Sequence, residues 1–287
     1  MFRPLCATIL AAVVSVPAGA ATLSLAGLVD GDGGNILDVD GSIPLTENWI
    51  IGAGAGRGDS SVEGERFSGT SLRARADVQL GSLFANADVE RWKDSGQLRA
   101  TTWRAGLGWL GESGLAASLL VVDRRLDITY TVMQAESTRE RQIRLEGNGF
   151  GAELGWFGES WTAGARYVDY DYGRNVARIR AARDAAATRR FPRLQQLIAS
   201  IATRAAGAPD REMSLFVDRS MGRLHLGADW QQQRDAVTRD VIDSAGITLG
   251  MEFADRFSVD VMAGGSRDDA AGTVPWGGVA LTLRSRR

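Results

Sequence analysis

The chain has 287 residues, with 33 Lys and Arg against 35 Asp and Glu, and it carries 35 Gly, 6 Pro and a single Cys. The near balance of charge excludes a basic nucleic-acid footprint, and the lone cysteine, Cys6, excludes a disulfide framework or a Cys-clustered metal. After the first twenty residues no apolar run reaches the roughly 18 residues that a membrane-spanning helix needs.

Residues 1–20 read as a secretory signal peptide. Arg3 supplies the positive start, Leu5 to Val16 the apolar run, and Ala18 and Ala20 the small-residue cleavage pattern. The mature chain is then expected to begin at Ala21 and to hold no cysteine, because Cys6 leaves with the signal, too far from the cleavage site for lipid attachment. Losing Arg3 leaves 32 basic against 35 acidic residues, a net of −3, and Lys93 is the sole lysine.

From residue 21 onward one unit recurs: about ten residues of alternating apolar and polar character, then a turn. Fourteen such segments are predicted as strands, near residues 22–29, 35–45, 48–56, 68–80, 83–91, 97–109, 115–132, 141–156, 161–170, 213–219, 223–232, 243–253, 257–265 and 276–284. In 72–80 the residues Leu72, Ala74, Ala76, Val78 and Leu80 share one face, and Arg73, Arg75, Asp77 and Gln79 the other. A two-residue turn at Gly81-Ser82 then sets Leu80 opposite Leu83, Arg75 opposite Asp88 and Arg73 opposite Glu90, a pairing of unlike charges.

Short connections such as "GS", "LGES" and "FGES" alternate with longer ones such as "RGDSSVEGERFSG". Trp49, Trp109, Trp156 and Trp161 adjoin the short turns as membrane-interface candidates. Trp92, Trp103, Trp230, Tyr167 and Tyr170 lie toward the long loops, so two aromatic belts are expected. With these features the mature chain resembles Gram-negative outer-membrane β-barrel proteins, porin-like in architecture, although no motif selects a subfamily. The resemblance implies an all-β fold: a single transmembrane antiparallel up-and-down β-barrel of about fourteen strands, twelve being the alternative. It also implies export to the outer membrane, contact with its lipid and lipopolysaccharide, and insertion by the barrel-assembly machinery, with no nucleic acid and no cofactor. Such barrels usually end on an aromatic residue, whereas this chain ends at Arg287.

Residues 173–211 break the pattern. Their Ala and Arg content favours helix, and Pro192 divides them. Nine arginines against Asp184 and Asp210 between Arg174 and Arg211 give a net of +7. A helical extracellular loop insertion is expected, with Arg178, Arg180, Arg183, Arg189, Arg190 and Arg193 as candidates for a lumen constriction or for contact with lipopolysaccharide phosphates. A solvated helical hairpin is the competing reading.

Parity places Arg73, Arg75, Asp77, Asp88, Glu90, Arg104, Glu153, Arg166, Asp218, His225, Asp229, Glu252 and Asp260 on the polar face as pore-lining candidates, where mixed charge tunes ion selectivity. His225, the only histidine, comes opposite Asp218 if the turn centres on Met221-Gly222. That pair is one part of a hydrolase site, but no nucleophile context surrounds it, and a structural lumen pair is the better reading. "DGDGGN" from Asp30 lacks the calcium-loop ligand pattern, since Gly34 and Gly41 occupy ligand positions. "GRGDS", from Gly56, is expected on a surface loop and matches an adhesion tripeptide too short to be specific.

"LGWLGESG" from Leu107 and "LGWFGESW" from Leu154 mark strand ends at the short-turn interface. Trp156 opposite Trp161 implies a four-residue loop, and transfer to the first copy sets Trp109 opposite Gly114. Ala116, Ser118, Leu120 and Val122 would then face lipid; the alternative, with Leu115, Ala117, Leu119 and Val121 outward, needs a bulge near Asp123. Function is expected to be passive, non-enzymatic passage of small polar solutes or ions. The alternatives are a non-conducting surface barrel whose loops bind lipopolysaccharide or protein and, less favoured, a barrel hydrolase using His225 and Asp218.

Overall fold

The computed structural model describes residues 21–62, 65–94, 98–134, 137–173, 176, 208–253, 256–268 and 272–285. Fourteen strands follow in chain order: β1 Thr22–Asp30, β2 Asn35–Pro44, β3 Trp49–Val62, β4 Glu65–Leu80, β5 Leu83–Asp94, β6 Leu98–Leu110 and β7 Leu115–Gln134. The second half is β8 Ser137–Phe157, β9 Trp161–Asp171, β10 Pro209–Met221, β11 Leu224–Asp235, β12 Val241–Phe253, β13 Phe257–Asp268 and β14 Gly272–Arg284. Each pairs antiparallel with its sequence neighbour, and β14 returns to β1, from Thr22↔Arg284 to Asp30↔Trp276, so the sheet closes as a barrel. Closure leaves no edge strand with unpaired backbone groups.

Alternation then sorts the two faces. Leu72 and Leu80, Leu83, Leu107 and Trp109, Leu154 and Trp156, and Ile247 and Leu249 are all exposed on the outside of the ring. Leu23, Ile43, Val261 and Leu283 extend the same band to the closing seam. An apolar surface of this extent on a closed sheet is the face that hydrocarbon solvates, because no backbone hydrogen bond is left unmet there. Above it the outward positions become charged: Asp123 and Arg125 on β7, Arg144 on β8, Asp169 and Asp171 on β9. Trp49, Trp109, Trp156 and Trp161 form the lower rim of the band, each more than two-fifths exposed. Outward Trp103 and Tyr167 stand at the upper rim.

The β4–β5 hairpin has the register read from the sequence, with Leu80↔Leu83, Arg75↔Asp88 and Arg73↔Glu90. The repeated "GES" turns do not. Trp109 pairs with Ala117 and Trp156 with Ala163. Leu115, Leu119 and Val121 therefore face outward, while Ala116, Ser118, Leu120 and Val122 are buried inside. No bulge is needed near Asp123, because the β6–β7 register runs without a shift from Leu98↔Ile128 to Leu110↔Ala116. The expected parity failed because Leu126 and Ile128, apolar residues on the same face as Ala116 to Val122, are inside the barrel and almost fully buried, so an apolar face of β7 does not mark lipid.

The interior at the long-loop end holds an apolar cluster. Leu120, Val122, Leu126 and Ile128 of β7, Leu145 of β8, and Val168 and Tyr170 of β9 pack with Leu98 and Ala100 of β6. Tyr172, Val176, Ala208, Ala236 and Val237 cover this patch, and Trp92 packs against it. Trp92 and Tyr170 thus belong to the interior and not to the outer aromatic belt. The signal peptide and all six loop arginines, Arg178 to Arg193, lie outside the described residues. The described residues give the helical reading of 173–211 no support, and Pro209–Arg211, counted with that insertion, belong to β10. "GRGD" is likewise strand, not loop: Gly56–Asp59 pair with β4 and β2.

Candidate functional site

The inner wall is organised by glycine. On β3 the inward positions are Gly52, Gly54 and Gly56, between the aspartates of β2 and the arginines of β4. A Cβ at Gly52 would stand 2.6 Å from Arg75 Nε, and one at Gly56 2.6 Å from Asp38 Oδ1. With no side chain between them, Arg73 reaches across β3 to Asp38 and Asp40, and Arg75 lies 3.5 Å from Asp40. Strand composition thus lays a flat lattice of ion pairs along the wall instead of letting the arginines project into the lumen.

Ion pairs recur around the ring, between neighbouring strands or across one. Arg104 on β6 bridges Asp88 at 2.8 Å and Glu90 at 3.4 Å on β5. Arg166 on β9 lies 3.6 Å from Glu153 on β8, which also accepts a hydrogen bond from Ser118 Oγ at 3.2 Å. Arg284 on β14 crosses β13 to Glu252 on β12 at 2.8 Å. His225 on β11 crosses β12 at Gly250, and its Nε2 lies 2.9 Å from Asp260 Oδ1 on β13. A side chain at Gly250 would collide with that imidazole.

His225 and Asp218 share the lumen face but are not register partners. Ser220 is opposite His225, and Asp218 is opposite Gly227. Gly222, at φ 67°, sits in the left-handed region that glycine tolerates and starts the two-residue turn Gly222-Arg223, one position later than read from the sequence. The carboxylate beside the imidazole is therefore Asp260, which sequence spacing missed because two strands and a glycine lie between them. Asp77 on β4, Asp218 on β10 and Asp229 on β11 are inward with no guanidinium at ion-pair distance among the described residues. No group of three or more potential metal ligands occurs among the described residues.

The outer mouth has a different chemistry. Tyr170 donates a hydrogen bond to Glu212 at 2.9 Å, and its ring stacks on Tyr172 at 6.3 Å. Both rings lie flat on β8, where Gly147 and Gly149 leave them room. Burial pushes the Tyr172 phenol, beyond the end of β9, well above its ordinary range. Asp235, above Trp230 at the end of β11, accepts from the Val237 and Thr238 amides at 2.7 Å each. Burial still outweighs those bonds and pushes its carboxyl up to about 6. Tyr172 Oη, Gln233 Oε1 and Asp235 Oδ2 are buried without hydrogen-bond partners.

On the outer wall, a concavity of about 940 Å³ has Ala87, Ala105 and Ala152 at its floor and Trp103, Phe150 and Tyr167 around it. These are outward residues, so the hollow opens toward lipid and not into the lumen.

No protein-family model and no curated protein matches the chain. Among solved structures it is similar to the CymD monoaromatic hydrocarbon channel, at 10% identity and TM-score 0.59, over 95% of this chain and 90% of that one. A loop-deletion mutant of OmpT, an outer membrane protein of Vibrio cholerae, aligns at 8% identity and TM-score 0.49, over 93% of this chain and 98% of that one. The KdgM porin aligns at 8% identity and TM-score 0.41, over 90% of this chain and 97% of that one. The alignment to CymD spans nearly the whole ring, and the chain has the fold of the outer-membrane channel and porin barrels: a closed, fourteen-stranded, antiparallel up-and-down β-barrel.

Proposed function

We propose that the chain is an integral outer-membrane barrel that lets small polar solutes or ions diffuse passively through its lumen, without enzymatic chemistry. The observation that carries this reading is the contrast between an apolar outer band and an inner wall faced with ion-paired side chains. Charges held flat over glycine lanes suit a water-filled interior, because a packed salt-bridge plug would need side chains that project and interlock. Fourteen strands spaced about 4.8 Å apart and tilted by about 40° enclose a ring roughly 28 Å across between opposing backbones. The apolar cluster at β6–β9 fills one side of the outer mouth, so the open path runs along the opposite wall.

That same cluster favours the second reading, a closed surface barrel whose loops meet lipopolysaccharide or a protein partner. Single-channel recording in planar bilayers separates the two. Discrete conductance steps are expected, and silent membranes containing correctly folded barrel would overturn conduction in favour of the surface role. Deletion of 178–205, the segment that carries the loop arginines, tests their assignment as a constriction. Altered conductance supports that assignment, and unchanged conductance removes it.

A further inference from the structure

We propose that the lumen selects cations over anions, with Asp77, Asp218 and Asp229 setting the preference; this rests on the conduction reading above. Permeant-ion sign follows the charge left over after wall groups neutralise one another. On this wall the bookkeeping is one-sided. Arg73, Arg75, Arg104, Arg166 and Arg284 each lie within ion-pair distance of a carboxylate. Arg124, inward on β7, adds a positive charge near Tyr170 and Tyr172 at the outer mouth, and among the described residues the inward cations stay fewer than the inward carboxylates. Glu90 stands beside Arg104, which already has Asp88 nearer, so it is only partly compensated.

Among the described residues Asp77, Asp218 and Asp229 have no cation at ion-pair distance, Arg75 and His225 acting on Asp77 and Asp218 only at longer range. Asp77 pairs with Ile50 and Asn86, Asp218 with Thr162 and Gly227, and Asp229 with Phe216 and Gly246, none of them cationic. All three are neither fully buried nor fully exposed. His225, the one titratable cation on that side, is held by Asp260 and adds at most a single charge. Glu212 faces inward on β10, bonded by the neutral Tyr170 hydroxyl.

Placement reinforces the excess. The ring order sets β4 diametrically opposite β11, so Asp77 and Asp229 stand on facing walls. A permeating ion thus meets negative charge on both sides and not a field directed from one wall to the other. Cations are drawn in and anions excluded over the Debye length of about 8 Å at physiological salt, and the effect fades as salt rises.

Zero-current potentials in asymmetric KCl test this with the full-length mature barrel. The wild-type potential should carry the potassium sign and shrink as the salt on both sides is raised. The triple substitution Asp77→Asn, Asp218→Asn, Asp229→Asn should move it toward zero. Arg166→Gln, which frees Glu153, should move it further toward potassium, so a failure of the triple variant to fold leaves the idea open to refutation. A wild-type potential of zero or of chloride sign overturns the selectivity while leaving conduction intact. Silent bilayers overturn conduction, and the selectivity with it. A triple variant that conducts with unchanged potential removes these three residues as its source.

Discussion

Asp235 lies above the apolar band, at the turn that joins β11 to β12, and is nearly inaccessible to solvent. Burial raises its carboxyl from 3.8 to about 6, so the protonated acid is the form that stabilises the turn. That contribution is complete below the unfolded value near 3.8 and is lost as pH rises through about 6. A shift of this size corresponds to something on the order of 3 kcal/mol if fully expressed. Amide exchange at Val237 and Thr238, corrected for intrinsic rates, should therefore show weaker protection near pH 7 than near pH 4. Asp235→Asn, which keeps the acceptor oxygen and carries no charge, should abolish the difference; protection that strengthens with pH contradicts the assignment. A residue-scale detail also explains the two "GES" turns. Gly114, at φ 80°, adds one left-handed residue after the first copy, and a side chain there would run into the Phe157 carbonyl. The second copy has Trp161 at that place, so its turn closes between Gly158 and Trp161, one residue shorter. Similar sequences give different registers because one glycine changes the loop length.

At the scale of the element, the fourteen strands were legible in the sequence because each crosses lipid on one face and water on the other, which imposes period two. Strand ends at the short turns were close to those read from the pattern. The far ends were not: β3 runs to Val62, β4 begins at Glu65 and β10 begins at Pro209. Beyond the apolar band both faces of a strand meet water, so alternation no longer marks the sheet. β7 failed for the opposite reason. From Leu115 to Val122 both faces are largely apolar, one meeting lipid and the other the buried cluster, and periodicity cannot choose between them. The inward charges were legible as a face, but their partners across a glycine strand were not, since spacing along the chain carries no distance across the ring. The β7 orientation is open to a direct test. Cys6 is the single cysteine of the sequence, so nitroxide labels at Leu119→Cys and Leu120→Cys in a barrel refolded from residue 21 onward report without background. In reconstituted barrels the label at 119 should be reached by oxygen dissolved in lipid, and that at 120 should not; the reverse pattern would restore the register with Ala116 and Leu120 outward.

For the whole molecule, the decisive interaction is the seam between β1 and β14. It joins residues on opposite sides of the sequence, Leu23↔Leu283 and Leu25↔Leu281 among them, and supplies the only cover for the backbone groups of both strands on that side. In hydrocarbon an unpaired backbone group costs several kcal/mol, and an open seam would expose a row of them. Local hairpins can form early from contacts close in sequence, but the seam must wait until all fourteen strands are in register, because its loop-closure cost falls on the entire chain. Deleting Gly272–Arg284 should therefore do more than remove one strand. It leaves β13 and β1 with free edges, and the remaining sheet has no stable position in a bilayer. The truncated chain should fail to become protease-resistant when refolded with vesicles and should associate into larger species in detergent. Removing residues 178–205, between β9 and β10, leaves every described strand pair in place and should leave insertion unimpaired. Equal protection of the two variants would mean that closure is not what holds the barrel in the membrane.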